Sequence, residues 1–355
     1  MERHWENIDL AKRVNTFPDP MLDPDGHRTA MAGLYTVVWP APDGSETALG
    51  YMRRDIYDRL LRVPEALRGQ TRLDAARGTV SVFRWPGEEP LDEPERTRRV
   101  AAVAQHLREA AAFPILVKGW RDELWPVFGP GGMNNNNNDG ELVFSMERAA
   151  LGLVGSMRYG VHVNAYVVAP EAPHGIRVWV PTRAATKSSF PGMLDNAVAG
   201  GLMTGEDPFE CMVREADEEA SLPGQVVRAN ARAAGAITYV YVTDARSGEE
   251  GHVYPECEWV FDLELPEGTT PRPKDGEVES FALMDVPDVQ ANLAAGRFKP
   301  NCAGVTLDFF MRRGIINRSN EPCYDDIVRH LHRVIPFPGP HHRAVAELAG
   351  QTTQT

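Results

Sequence analysis

Three glutamates stand close together near the middle of the chain: Glu215, Glu218 and Glu219. Residues three and four apart are neighbours on a helix, so the three carboxylates are predicted to share one face. Such like charges repel one another, and a divalent cation with a preference for hard oxygen ligands, Mg²⁺ or Mn²⁺, removes that penalty. Crowding also raises the proton affinity of one carboxylate, which provides a general base. These residues therefore predict a metal-assisted hydrolytic site.

The helix that carries these glutamates is predicted over residues 207–222. Asp207 suits the N-cap, Pro208 the first helical position, and Glu210 has the spacing of a capping box. The sequence Pro223-Gly224 predicts its end. Apolar residues form the opposite face, which is predicted to pack on a core: Phe209, Met212, Val213, Ala216 and Ala220.

A run of acidic residues is more often a solvated helix face than a metal site, but the spacing here favours a site. Gly200, Glu206, Arg214, Glu215, Glu218 and Glu219 fall in register with the Nudix box, G-x5-E-x7-R-E-U-x-E-E-x-G-U, where U is apolar. Six fixed residues at about 7% usage each match by chance on the order of 10⁻⁵ times in a chain of this length. One position differs, because Ser221 stands where the pattern has glycine. If the backbone there is left-handed, serine lowers the stability by roughly 1 kcal/mol. The position is not one of the metal ligands, so the difference does not affect metal binding.

This resemblance to Nudix hydrolases implies roles for the matching residues. Glu215 and Glu219 would be the main metal ligands, Glu218 a third ligand or the base, and the Gly200 carbonyl a further ligand. Arg214 would orient the glutamates, and Glu206 would support the junction between loop and helix. Nudix enzymes often take one more carboxylate from a later loop or strand. Glu279 is predicted to supply it, with Glu277 as the second choice.

The wider sequence is similar to the Nudix branch related to the domain fused to thiamine pyrophosphokinase. The similar segments are Glu147-Arg148-Ala149-Ala150, Tyr159-Gly160-Val161-His162-Val163-Asn164, Lys187 to Gly201, Glu218-Glu219-Ala220-Ser221 and Phe298-Lys299-Pro300-Asn301-Cys302. Members of that branch resemble enzymes that hydrolyse thiamine diphosphate and, preferentially, its oxy and oxo analogues to monophosphates. Arg183 and Lys187 lie between a predicted strand and the Gly-rich segment, and they are predicted to hold the substrate's phosphates.

The resemblance implies an α/β (α+β) fold, a Nudix α/β/α sandwich preceded by a smaller α+β domain. Domain boundaries are predicted at 1–145 for the N-terminal domain, 146–315 for the Nudix domain and 316–355 for a C-terminal extension. Patterns of residues predict strands at 34–39, 161–168, 176–180, 238–243, 258–265 and 278–284, and helices at 93–112 and 303–312. The five asparagines Asn134 to Asn138 predict a mobile surface loop. The proline-rich tail is predicted to be extended, with solvated histidines at 330, 332, 341 and 342.

The overall charge makes some partners improbable. The chain has 50 acidic and 37 basic residues, a formal net charge of −13, and an acidic surface repels nucleic acid and anionic lipid. It does not exclude a small anionic diphosphate, because a bound cation reverses the local field. Four scattered cysteines and the absence of an apolar leader predict a cytoplasmic protein. The oligomeric state is left open.

Other functions remain to be weighed. An isopentenyl-diphosphate isomerase needs a catalytic cysteine near the strand before the box, and residues 161–200 contain none. Hydrolysis of another diphosphate, such as ADP-ribose or a nucleotide sugar, stays open. A non-catalytic Nudix-fold binding module is a third possibility, although such modules can lose box carboxylates that are all present here.

Overall fold

The computed structural model describes residues 4–40, 44–85, 91–131, 140–247 and 250–343. The predicted asparagine loop, Asn134 to Asn138, lies outside these residues. The helices are α1 Asn7–Val14, α2 Pro24–Met31, α3 Arg54–Leu60, α4 Glu65–Arg68, α5 Glu93–Glu109, α6 Pro114–Lys118, α7 Arg148–Val154, α8 Pro208–Ala220, α9 Gly224–Asn230, α10 Val286–Ala294, α11 Pro300–Arg312 and α12 Tyr324–Leu331. The strands are β1 Leu34–Pro40, β2 Glu46–Arg53, β3 Gln70–Asp74, β4 Thr79–Arg84, β5 Leu124–Gly129, β6 Glu141–Glu147, β7 Arg158–Val168, β8 Ile176–Arg183, β9 Val198–Gly201, β10 Ala231–Val242, β11 Val253–Glu264 and β12 Val278–Asp285.

The N-terminal part is a small α+β unit, as predicted. Four strands form a sheet in the order β2-β1-β4-β3, and β5 pairs with β6 as a separate hairpin. Their apolar side chains share one core with those of α5, α6 and α7, including Val80, Val103, Leu116, Phe144 and Leu151. This core places the end of the hairpin and α7 next to the start of β7.

The second part is a six-stranded mixed sheet between two layers of helices, which confirms the predicted α/β/α sandwich. The strand order is β10-β11-β7-β8-β12, and β9 pairs with β7. Strands β7 and β11 run parallel, whereas β7 pairs with β8 and β9 in the antiparallel sense. Alternate residues of β7 face opposite layers: Val161 and Val163 pack in the core that contains α8, and Tyr166 packs in the core of α11.

The two chain ends both pack on the sandwich. Leu10, Ala11 and Val14 of α1 lie in the same core as residues of α11 and α12. From the tail, Ile335 and Phe337 are buried in the core on the α8 side. The N-terminal helix thus packs with the second unit although the sequence places it ahead of the first, and the segment after residue 315 contributes apolar area to the sandwich.

Candidate active site

Helix α8 has the predicted N-terminal cap. The Asp207 carboxylate accepts hydrogen bonds from the backbone N–H groups of Phe209 and Glu210 at 2.9 and 3.2 Å. The Glu210 side chain does not reach back as a capping box would, because its carboxylate pairs with Arg228 at 2.6 Å. Ser221 ends the helix in the left-handed conformation, with φ of 54°, where the box pattern has glycine.

Arg214 connects the acidic residues of the box. Its Nε and Nη2 donate to the two oxygens of Glu206 at 2.8 and 3.1 Å. Its Nη1 donates to Glu215 at 2.8 Å and to Glu218 at 3.0 Å. Glu206 also accepts the backbone N–H of Met203 at 3.3 Å, which ties the loop to the helix. One guanidinium therefore fixes three carboxylates relative to one another.

The glycines before α8 allow the helix to approach the backbone of β9. A Cβ atom on Gly200 would lie 2.1 Å from the carboxyl carbon of Glu215. A side chain at this position would displace that carboxyl group. The absence of a side chain at Gly200 is therefore what lets the Glu215 carboxylate and the β9 backbone share this space.

Glu219 is the most deeply placed of the three box glutamates. It is 8% exposed, and its carboxylate accepts the backbone N–H of Ala199 at 3.0 Å. Burial raises the pKa of Glu219 well above its ordinary value, and the nearby charge of Glu215 raises it further. Burial likewise raises the pKa of Glu215. Two buried carboxylates so close need a positive partner to stay ionised together, and this donor set of carboxylate oxygens with a backbone carbonyl suits Mg²⁺ or Mn²⁺.

The structure distinguishes between the two downstream carboxylates. Glu277 forms an ion pair with Lys187, and its charge raises the pKa of Glu215, so it faces the acidic helix. Glu279 is exposed. A β-bulge between Val278 and Ser280 interrupts the alternation of side chains along β12. The second choice from the sequence, Glu277, is thus the residue that lies beside the site, and the preference for Glu279 needs correction.

Arg183 is held inside the protein rather than presented to the cleft. Its Nη1 pairs with Asp195 at 2.6 Å, and Nε and Nη2 donate to the carbonyl groups of Phe190 and Ser189 at 3.1 and 2.9 Å. These bonds fix the loop before β9. The contacts favour a positioning role for Arg183, whereas Lys187 pairs with Glu277, and its charge lowers the pKa of Glu219.

A second polar cluster lies under the site, on the α11 side of the sheet. Ligand atoms of His162, Asp195 and Cys302 lie within 4.8 Å of one another. Burial raises the pKa of the Cys302 thiol, which contacts Asp195 at 2.6 Å, and burial lowers the pKa of His162 to about 4. The neutral imidazole of His162 is already hydrogen-bonded to Asn196 at 2.8 Å. A protonated thiol is a poor metal ligand, so the cluster is better described as a hydrogen-bonded network.

A cleft of about 200 Å³ opens next to Gly200. It contains residues that sequence reasoning did not assign to the site. Its aromatic lining comes from both parts of the chain and includes Trp125, Phe190, Tyr239 and Tyr254. Its charged lining contains Arg148, Arg158, Lys299, Glu256 and Glu258. The two carboxylates could be suspected from the sequence, because Glu256 and Glu258 are acidic residues at alternate positions of an apolar strand, β11.

Glu256 and Glu258 share the hydroxyl group of Tyr239. The phenol oxygen lies 2.6 Å from Glu256 and 3.0 Å from Glu258. A phenol has one proton, so this hydroxyl group donates to only one of the two carboxylates at a time. Burial raises the pKa of both glutamates, and the charge of Glu258 raises that of Glu256 further. Arg158 lies 3.4 Å from Glu256 and partly offsets this effect.

The tail histidines differ from the prediction of solvated side chains. His341 is buried, and its Nδ1 lies 3.2 Å from the hydroxyl group of Tyr159. His332 lies 3.3 Å from Asp308. The tail folds back because Ile335 and Phe337 are buried in the core, and this places His341 against β7. Neither histidine joins the acidic cluster on α8.

Comparison with protein families gives two matches. Residues 159–302 match the NUDIX domain, and residues 45–158 match a domain of unknown function, DUF4743. An uncharacterized protein of Saccharomyces cerevisiae, YJR142W, is 40% identical over 93% of this chain and 92% of its own length. Two proteins of Arabidopsis thaliana, Nudix hydrolase 20 and Nudix hydrolase 24, both chloroplastic, are each 36% identical over 68% of this chain. The matches cover 59% and 60% of those two plant proteins. In the described part of the chain, no helix has the length and apolar character needed to cross a membrane.

Proposed function

We propose that the chain, whose residues 159–302 match the NUDIX domain, is a diphosphate hydrolase and that its substrate is thiamine diphosphate or one of its oxidised, oxy or oxo, analogues. The products are the monophosphate and inorganic phosphate. Water supplies the new oxygen on one phosphorus atom, and the bridging oxygen leaves with the other phosphate. The observation that carries this proposal is the position of Gly200, which packs against Glu215 and also lines a cleft with aromatic and cationic side chains.

The box residues divide the work of the reaction. Glu215, Glu218, Glu219 and the Gly200 carbonyl would hold Mg²⁺ or Mn²⁺, which neutralises phosphate oxygens and acidifies water when bound. Arg214 keeps Glu215 and Glu218 in place through bonds of 2.8 and 3.0 Å. Glu218 is 49% exposed, so it can accept the proton of the attacking water and release it to solvent. Lys187 borders the cluster and would orient the phosphate that leaves, and its ion-pair partner Glu277 would be the further carboxylate of the metal site.

The cleft offers contacts for a small heterocycle. The rings of Tyr239 and Tyr254 line it, and aromatic faces stack well on flat heterocycles. If the neutral oxo form is preferred over the cationic thiazolium, the pocket should present no ionised carboxylate to the ring. Glu256 and Glu258 line the cleft, and burial raises the pKa of each. A neutral acid can donate a hydrogen bond to an oxo group, whereas an ionised one would favour the thiazolium.

The experiment is a comparison of kcat/KM with Mg²⁺ for oxothiamine diphosphate, oxythiamine diphosphate, thiamine diphosphate and ADP-ribose. We expect a thiamine-type compound to lead, with its monophosphate and inorganic phosphate as products. If ADP-ribose is cleaved tenfold better than all three, the substrate is wrong although the Nudix chemistry stands. If none of the four is cleaved, the binding-module alternative gains support. The cytoplasmic location stays a prediction.

A further inference from the structure

Arg158 has an unusual position at the junction of the two units. It is the first residue of β7, and its parallel partner across the strands is Glu256. Its guanidinium carbon lies 4.8 Å from the ring centroid of Trp125 and 4.3 Å from that of Tyr254. The planar group is therefore held between an aromatic ring of the N-terminal unit and one of the sandwich.

The bonds of this guanidinium are incomplete. Nε of Arg158 lies 3.4 Å from Glu256, and this ion pair orients the guanidinium group. The side chain is only 13% exposed, and its Nη1 is buried and has no hydrogen-bond partner among the described residues. A buried donor without an acceptor is destabilising, so an acceptor is expected to arrive from the cleft that Arg158 lines.

Trp125, which lines the same cleft, also has a buried donor without a hydrogen-bond partner among the described residues. It is 4% exposed, and its indole Nε1 finds no partner within the part of the chain that the structure describes. A Cβ on Gly201 would lie 2.4 Å from Cζ2 of this ring, so the indole packs directly on the backbone next to Gly200. A second guanidinium, that of Arg148, lies 5.1 Å from the Trp125 ring centroid. Two buried donors, Nη1 of Arg158 and Nε1 of Trp125, thus lie beside the Gly-rich backbone, and the guanidinium of Arg148 adds a second positive charge there.

We propose that Arg158 and the Trp125 N–H form an oxyanion site that takes oxygens of the substrate's diphosphate, with Arg148 adding charge at its rim. The inference rests on the proposed function, because it names the residues that hold the diphosphate of that substrate. It also gives the N-terminal unit a role: Trp125 and Arg148 come from that unit and complete a cleft whose other walls belong to the sandwich. Arg148 is held there by Glu123 at 3.1 Å.

The test uses the full chain and three variants in the site. Arg158→Met removes the charge, Arg158→Lys keeps the charge but removes the planar fork, and Trp125→Phe removes the N–H and keeps a ring. Arg318→Met is the control, because this arginine is exposed and pairs with Asp325 on the surface. Isothermal titration calorimetry measures Kd for inorganic diphosphate with and without Mg²⁺, and kinetics gives KM and kcat.

We expect Arg158→Met to weaken diphosphate binding at least tenfold, Arg158→Lys and Trp125→Phe to weaken it by a smaller factor, and KM to rise more than kcat falls. Arg318→Met leaves both unchanged. Trp125→Phe replaces a buried ring by a smaller one, so its melting temperature is measured as well, and a loss of binding at an unaltered melting temperature separates a binding role from a structural one. Values of Kd and KM within twofold of the wild type in both Arg158→Lys and Trp125→Phe would overturn the proposal. If no substrate is hydrolysed but the variants still lose diphosphate binding, the proposed function fails and this site stands.

Discussion

Gly200 and Glu215 lie so close that they exclude any side chain between them: a Cβ on Gly200 would be 2.1 Å from the Glu215 carboxyl carbon. The two residues are far enough apart in sequence that only the packing of α8 against β9 brings them together. This contact places the Glu215 carboxylate against the backbone at Gly200, and the carboxylate and the Gly200 carbonyl are expected to bind one divalent cation.

Gly200→Ala should therefore reduce kcat by at least about a hundredfold, roughly 2.7 kcal/mol of barrier, because the new methyl group displaces Glu215. Gly33→Ala is the control, since a Cβ there has no atom within 4 Å. Steady-state kinetics with Mg²⁺ on the best substrate of the panel measures both. Equal loss in the two variants, or no loss in Gly200→Ala, would argue against the contact.

Ser221→Gly should stabilise the protein by about 1 kcal/mol, because the left-handed backbone at φ of 54° strains any residue with a Cβ. Ser221→Ala keeps the Cβ and is expected to give no such gain. Urea unfolding of the three proteins measures the difference. A glycine variant no more stable than the alanine variant would show that the strain is relieved elsewhere.

Asp195→Asn tests the buried pair with Arg183. Lys299 and Arg183 hold the pKa of Asp195 well below its usual range, although burial alone would raise it. A depressed carboxyl pKa contributes stability above the unfolded value of about 3.9, and this contribution is lost as the pH falls through the folded value. The substitution should cost roughly 3–5 kcal/mol at pH 7, and the gap to the wild type should narrow below about pH 4.

Urea unfolding between pH 7 and pH 3.5 measures that gap. Asp325→Asn is the matched control, because its pair with Arg318 is exposed and should contribute less than about 1 kcal/mol at any pH. A difference between Asp195→Asn and the wild type that stays constant over this range would contradict the assignment of stability to the ionised pair.

The local elements were largely predictable. Caps and periodicity set α8 and α5 within a few residues of the structure, because both signals act within one helix. The box contacts around Arg214 also follow from spacing on that helix. Strand ends were less predictable: β11 begins at Val253, five residues before the predicted start at Glu258, because pairing with β10 and β7 extends it. Glu256 consequently lay outside the predicted strand.

The other walls of the cleft depend on contacts between distant segments. Arg158 meets Glu256 through the parallel register of β7 and β11, and it meets Trp125 through the packing of the two units. No local pattern encodes either contact. No local pattern encodes the position of Glu277 either, because it depends on the β-bulge at the start of β12. His341 is buried because the apolar tail residues Ile335 and Phe337 pack in the core.

The most direct test of the central claim is the rate of diphosphate hydrolysis by Glu219→Gln at saturating Mg²⁺. The substitution keeps the size of a buried side chain that accepts the Ala199 N–H at 3.0 Å, and it removes the charge proposed to bind the cation. Glu210→Gln, on the exposed side of the same helix beside Arg228, is the control. We predict that kcat falls by at least about a hundredfold, roughly 2.7 kcal/mol, in Glu219→Gln and stays within twofold in Glu210→Gln. Unchanged turnover by Glu219→Gln would contradict the mechanism.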